Sequence, residues 1–117
     1  MNIEEVRTYC LRKNGVEESF PFDNETLVFK VGGKMFLLTS LVSPEFRINL
    51  KTAPEKSLLL REKYPQITPG FHMNKKHWNT VLIDGKLSEK LIYGLIDESY
   101  ELAFKSLSKK KQKELSS

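Results

Sequence analysis

Apolar residues recur at helical spacing near both ends of the chain. After Asn2, a residue type that caps helices, the apolar residues Ile3, Val6, Tyr9 and Cys10 recur with a period of about 3.6 residues. Behind Ser88, a longer apolar stripe consists of Leu91, Ile92, Leu95, Ile96, Ala103 and Leu107. The two patterns predict an N-terminal helix and a longer C-terminal helix, each with one face against a core.

The middle of the chain begins with the pattern of a β-hairpin. Thr26–Val31 and Lys34–Leu41 are rich in aliphatic and aromatic residues and flank Gly32-Gly33, a two-residue loop suited to positive φ. The predicted register opposes Phe29 with Phe36 and Leu27 with Leu38 on one face, and Val28 with Leu37 and Lys30 with Met35 on the other.

Further elements follow the hairpin. Phe46–Lys51 alternates apolar and polar residues, as a half-buried strand does. Thr52 can cap a middle helix that ends before Pro65. A second hairpin-like pair is predicted around Lys75-Lys76, with strands at Phe71–Asn74 and His77–Ile83. The fold class is therefore α+β, an antiparallel sheet of about five strands packed against N-terminal, middle and C-terminal helices.

Length and composition indicate one soluble domain. The 117 residues can enclose one modest core, and no apolar run reaches the roughly 20 residues of a membrane helix. We expect one domain over residues 1–107 and a disordered lysine-rich tail over 108–117. The acidic N-terminus is not that of a signal peptide, and Cys10 is the only cysteine, so we expect a cytoplasmic protein.

Charge is distributed unevenly around a net value of +4. Residues 30–90 hold eleven Lys/Arg against five Asp/Glu, whereas residues 1–29 hold three against six. A one-sided basic surface would attract polyanions, but scattered lysines that keep the domain soluble are an equally simple interpretation. The stretch Pro69–Ile83 stands out because it combines Trp78, the largest available core anchor, with both histidines and a lysine pair.

Several segments resemble the YjbR/MmcQ family. The most specific is Pro69–Val81 with its His-Met-Asn-Lys-Lys-His-Trp centre, and others are Phe20–Phe22, Val28–Phe36 and Ser99–Leu102. The resemblance implies a frataxin-like (CyaY-like) α+β fold and a bacterial protein that binds DNA through two projecting hairpins, a "double wing". Asp23 departs from the family, in which a small residue is expected after Pro-Phe, so the connector there is expected to differ locally.

Phosphate contacts by cations are the chemistry that such a role requires. The candidate cations lie on the predicted hairpins and the third strand: Lys34, Arg47, Lys51, Lys75 and Lys76. Asn74, His77 and Asn79 could add contacts to bases or phosphates. We expect these groups to form one basic face, and the lysines of the tail could add nonspecific affinity.

Other functions have weaker signals. His72 and His77 lack a clear third ligand for a metal, and no strand-turn-helix elbow frames a serine nucleophile. We therefore expect no catalytic residues, no metal and no cofactor, with Cys10 as buried packing. The alternative function is a protein-interaction module of the same fold, in which the second sheet face around Val28, Met35 and Leu37 would meet a partner.

Overall fold

The computed structural model describes residues 1–70 and 73–116, and within them the chain forms four helices and six strands. The helices are α1 (Ile3–Leu11), α2 (Pro54–Lys63), α3 (Glu89–Lys105) and α4 (Lys109–Ser116). The strands are β1 (Val16–Ser19), β2 (Thr26–Val31), β3 (Lys34–Ser40), β4 (Arg47–Lys51), β5 (Ile67–Pro69) and β6 (Trp78–Leu82). All neighbouring strands are antiparallel, in the order β1-β2-β3-β4-β6-β5. The predicted α+β class is confirmed.

The two helices predicted from apolar spacing begin at their expected caps. Asn2 Oδ1 accepts a hydrogen bond from the Glu5 amide at 2.9 Å, and Ser88 Oγ accepts one from the Leu91 amide at 3.1 Å. Both helices bury their apolar stripes with one sheet face, where the core includes Val6, Cys10, Phe29, Phe36, Ile48, Leu50, Val81, Ile92 and Ile96. No helix in the described part of the chain is long and apolar enough to cross a membrane.

The opposite sheet face carries a smaller apolar cluster. Trp78 packs there with Val28 and Leu38, and the half-buried Met35 and Met73 adjoin them. The predicted anchor is therefore buried, but it lies away from the helices. Strand alternation then directs Asn79 and Val81 to the helix side.

The hairpin has the predicted turn but a different register beyond it. Lys30 faces Met35 as expected, whereas Phe29 faces Leu37 rather than Phe36, because the ladder shifts between Phe29 and Lys30. Leu27 consequently faces Thr39 and Val28 faces Leu38. The irregularity lets the consecutive residues Phe36 and Leu37 both join the main core, which strict alternation would forbid.

Two strands differ from the prediction. Val16–Ser19 forms β1, a strand that was not predicted, because Val16 pairs with Val31 and Glu18 forms an ion pair with Arg7 of α1. Met73 and Asn74, the described residues of the strand predicted at Phe71–Asn74, are not in a strand, and β6 pairs with β5, where Ile67 lies opposite Val81 in the core. Phe71 and His72 lie outside the described residues, and so does Ser117.

The middle helix differs from the prediction at its N-cap and buries a partly polar face. Thr52 does not cap it, because its hydroxyl is buried against Ser57 Oγ, and the N-cap is Ala53. Leu58 and Leu59 are 67% and 66% exposed, while Ser57 and Leu60 are buried. α2 therefore turns a partly polar face toward the sheet, and side chains of this face form part of the candidate site.

The predicted disorder of the tail is wrong. Residues Lys109–Ser116 form α4, and Leu115 is partly buried against the main core. One apolar residue at the right position, together with a serine cap, allows a very polar segment to fold onto the domain.

Candidate nucleic-acid interface

One end of the sheet collects most of the cations predicted to bind DNA. The register opposes Leu37 with Leu50 and Lys51 with Trp78, so the Gly32-Gly33 turn, the end of β4 and the start of β6 lie together. We call this the basic end, defined by Lys34, Lys51, Lys75 and Lys76. Four of the five cations predicted to contact DNA therefore lie at the same end of the sheet.

The end of β4 is held from both sides. The Lys51 amide donates to Ser99 Oγ at 2.8 Å, and that hydroxyl donates to the Phe36 carbonyl at 2.6 Å. The Lys51 ammonium lies 5.8 Å from the centroid of the Trp78 ring, within cation–π range. α3 and the indole therefore fix the strand end from which this lysine projects.

The segment before β6 is a tight turn built by Asn74. Its carbonyl accepts from the amides of His77 at 3.3 Å and Trp78 at 2.9 Å, and its Oδ1 accepts from the Lys76 amide at 2.9 Å. Lys75 and Lys76 are exposed on this turn. The Asn74 side-chain oxygen, predicted to contact DNA, is thus engaged in shaping the turn.

Arg61 of α2 clamps the same turn, and the sequence analysis missed it. Its guanidinium donates to the carbonyls of Lys75 at 2.5 Å and Trp78 at 3.0 Å, and to Asn79 Oδ1 at 2.8 Å. The planar fork of arginine suits three convergent acceptors. The available signal was spacing: Arg61 follows Ser57 by four residues, so the two share the helix face that is turned inward.

Asn79 cannot contact DNA in this structure, so its predicted role is wrong. The side chain is fully buried on the helix side of β6. Its Nδ2 donates to Thr52 Oγ1 at 3.0 Å and Ser57 Oγ at 3.1 Å, while Oδ1 accepts from Arg61. The residue links β6 to α2 instead of facing solvent.

Arg47 does not join the basic end either. It pairs with Leu82 at the opposite end of the sheet, and its guanidinium lies 3.3 Å from the Glu45 carboxylate. Four residues of strand separate it from Lys51, about 13 Å at the usual rise. The expectation of one face containing Arg47 is therefore wrong, since strand direction places it elsewhere.

The apolar patch required by the alternative function is covered. Val28 and Leu37 are fully buried, the second of them on the helix side, and Met35 is half-buried. Exposed apolar side chains occur instead in the β1–β2 and β3–β4 loops, at the end of the sheet opposite the basic end: Phe20, Phe22, Leu41 and Val42.

Cys10 has the environment of a packing residue. The side chain is fully buried, and burial raises the pKa of its thiol to about 12. We expect native protein to resist Ellman's reagent at mildly alkaline pH and to release one thiol equivalent after denaturation in guanidinium. Rapid reaction of the native protein would contradict this burial. Among the described residues, no group of three His, Cys, Asp or Glu side chains is placed to hold a metal.

Comparison with known proteins matches this chain to one family model and to individual similar proteins. The model of the YjbR family matches residues 11–102. The chain is 44% identical to protein YbdF of Escherichia coli O157:H7 over 110 residues, covering 94% of this chain and 90% of that protein. It is 38% identical to YjbR of Escherichia coli K12 over 113 residues, covering 97% and 96%.

Solved structures share the fold. The crystal structure of DR2400 from Deinococcus radiodurans superposes with a TM-score of 0.93 at 41% identity, over 98% of this chain and 88% of that one. A crystal structure from Pseudomonas syringae gives a TM-score of 0.76 at 32% identity, over 88% of this chain and 99% of that one.

Proposed function

This chain belongs to the YjbR family, and from that membership and the basic end of its sheet we propose that it binds duplex DNA without catalysis, in the bacterial cytoplasm. The observation that carries the proposal is the convergence of Lys34 and Lys51 with the Lys75-Lys76 turn. Phosphate contacts by lysine need little geometric precision, so the binding is mainly independent of sequence.

The spacing of the two turns supports a contact with the DNA backbone. The Gly32-Gly33 turn lies between β2 and β3, and the Asn74–His77 turn enters β6, with β4 between β3 and β6. Two strand spacings separate β3 from β6, or about 10 Å. That distance is close to the major-groove width of about 12 Å, so the two turns can approach neighbouring phosphate rows. His77, half-buried at the end of the second turn, stands beside these cations.

We expect the double substitution Lys75→Ala and Lys76→Ala to weaken binding to a duplex without loss of fold. Each lysine that no longer neutralises a phosphate lowers the slope of log affinity against log salt by about 0.9, so the slope falls by up to about 1.8. Fluorescence anisotropy of a labelled duplex over a salt series measures this slope, and circular dichroism checks the fold.

The matched control is Lys86→Ala with Lys90→Ala. These two exposed lysines follow β6 and begin α3, so they lie at the opposite end of the sheet and remove the same charge. Binding should be almost unchanged in the control. Equal losses in both pairs would show that net charge alone matters, and an unaffected Lys75/Lys76 variant would contradict the proposed interface.

A second candidate function, recognition of a protein partner, has its own support. Phe22 and Val42 are 63% and 64% exposed in adjacent loops, and the Leu41 amide donates to the Glu25 carbonyl across them. Substituting both residues with serine should leave DNA affinity unchanged if the basic end binds DNA. A loss of DNA affinity in that variant would indicate that DNA binds at the end of the sheet that carries these two loops, opposite the basic end.

A further inference from the structure

Helix α4 is packed against two glycine turns at the basic end. Gly32 has φ +56°, and a β-carbon placed on it would lie 2.6 Å from Leu107 Cδ1. Gly15 has φ +73°, and a β-carbon there would lie 2.8 Å from Leu115 Cδ2. Both turns need glycine for their backbone, and both leave space that a leucine occupies. Leu115 thereby joins the α1–β1 turn, the β2–β3 turn and α4.

The start of α4 is fixed by polar contacts as well. Ser108 Oγ accepts from the Lys111 amide at 3.1 Å, which caps the first turn. Gln112 Nε2 donates to the Leu107 carbonyl at 2.8 Å and connects the helix to the chain that leads from α3. These contacts, together with the two leucines, give α4 a defined position on the domain.

The outward face of α4 is cationic. Lys109, Lys110 and Lys113 are exposed, and their spacings of three and four residues place them on one side of the helix. Lys111 lies on the flank, 3.9 Å from Glu114. Lysines in a first helical turn oppose the helix dipole, and like charges at this spacing cost a few tenths of a kcal/mol each. Helix stability alone therefore disfavours this arrangement, whereas a bound polyanion would offset it.

We infer that α4 is a structured third part of the DNA-binding surface, in which Lys109, Lys110 and Lys113 contact phosphates beside the Gly32-Gly33 turn. This inference rests on the proposed function, and it adds to it the elements that hold the helix in place. Because Leu107 and Leu115 both contact the space over Gly32, α4 lies next to the hairpin that carries Lys34. A docked helix meets phosphates with less ordering cost than a flexible tail does, so its contribution depends on the two leucines.

The decisive experiment separates charge from docking in the full-length protein. The triple substitution Lys109→Gln, Lys110→Gln and Lys113→Gln removes the cations, and we expect the salt slope on a duplex to fall by up to about 2.7. The double substitution Leu107→Ser and Leu115→Ser keeps every charge but releases α4. We expect it to weaken binding roughly tenfold, which corresponds to about 1.4 kcal/mol, and to open residues 109–113 to trypsin. Leu58→Ser with Leu59→Ser is the matched control, because it changes two exposed leucines on α2.

The outcomes distinguish the inference from the proposed function. If wild-type protein binds DNA and only the lysine triple weakens it, the lysines act as a flexible tail and the inference is wrong. The same conclusion follows if neither set of variants changes binding, or if trypsin protection of α4 survives the leucine double substitution. If wild-type protein binds no duplex at any salt concentration, the proposed function itself fails, and the inference fails with it.

Discussion

Replacing Trp78 with alanine is expected to lower the free energy of unfolding by about 3–5 kcal/mol, the usual cost of deleting a large buried aromatic side chain. The indole is 7% exposed and packs with Val28 and Leu38 on the sheet face away from the main helices. Gly70 lies close to the Trp78 backbone and Cβ: its amide donates to the Trp78 carbonyl at 2.9 Å, and a β-carbon placed on Gly70 would lie 2.9 Å from Trp78 Cβ. Guanidinium denaturation followed by circular dichroism measures the change.

Two further observations make this prediction specific. Trp78→Phe keeps an aromatic ring in the same space, so it should cost clearly less than the alanine variant. Trp78 is the only tryptophan, so intrinsic fluorescence of the wild-type protein reports this site alone. We expect emission at short wavelength and weak quenching by acrylamide. A loss below about 1 kcal/mol with strong quenching would place the indole in solvent, since surface substitutions usually cost that little.

The elements that could be predicted are those in which local pattern and tertiary environment agree. Asn2 and Ser88 each precede an apolar stripe, and each caps its helix as expected. The Gly32-Gly33 turn is equally local, because the two positive φ values it needs are available only to a few residue types. Such signals do not depend on what the segment packs against.

The missed strands are specified by their partners. Val16–Ser19 has a single apolar residue and becomes a strand because β2 offers a free edge and Arg7 meets Glu18. Ile67–Pro69 is only three residues long and is positioned by the pairing of Ile67 with Val81. Neither segment has an alternating pattern of its own, so pairing with neighbours decides its conformation.

The error at Asn79 has one cause, which is the choice of the β6 residues that face the helices and of those that face the other side of the sheet. A contact between Asn79 and DNA requires the Asn79 side chain to face solvent, as it would in a strand whose tryptophan faces the helices. The structure buries Trp78 on the other sheet face, so Asn79 turns inward to Thr52 and Ser57. Trp78 is apolar enough to be buried on either face, and composition does not distinguish the two. Arg61 was missed for the related reason that its three acceptors come together only after folding.

Replacing Arg61 with methionine is the second change with a large expected effect. The substitution leaves the Lys75 carbonyl and the buried Oδ1 of Asn79 without the Arg61 donor, while the Trp78 carbonyl keeps its hydrogen bond from the Gly70 amide. An unsatisfied buried acceptor costs about 1–3 kcal/mol, and Asn79 Oδ1 is the buried acceptor that loses its donor, so we expect a loss of about 1–3 kcal/mol in unfolding free energy. The measurement is denaturation by guanidinium, with Arg12→Met as the control at an exposed arginine.

The charge-conserving variant Arg61→Lys tests whether geometry is what matters. An ammonium has three donors but cannot present the planar fork that reaches two backbone carbonyls and the Asn79 side-chain oxygen at once. Arg61→Lys should therefore be more stable than Arg61→Met but less stable than the wild-type protein. The released turn no longer holds Lys75 and Lys76 at the end of β6, and DNA affinity should fall although the net charge is unchanged. An Arg61→Lys variant with wild-type stability and wild-type DNA affinity would contradict the role of this guanidinium. In that case charge at α2, rather than the clamp on the turn, would account for the contribution of Arg61.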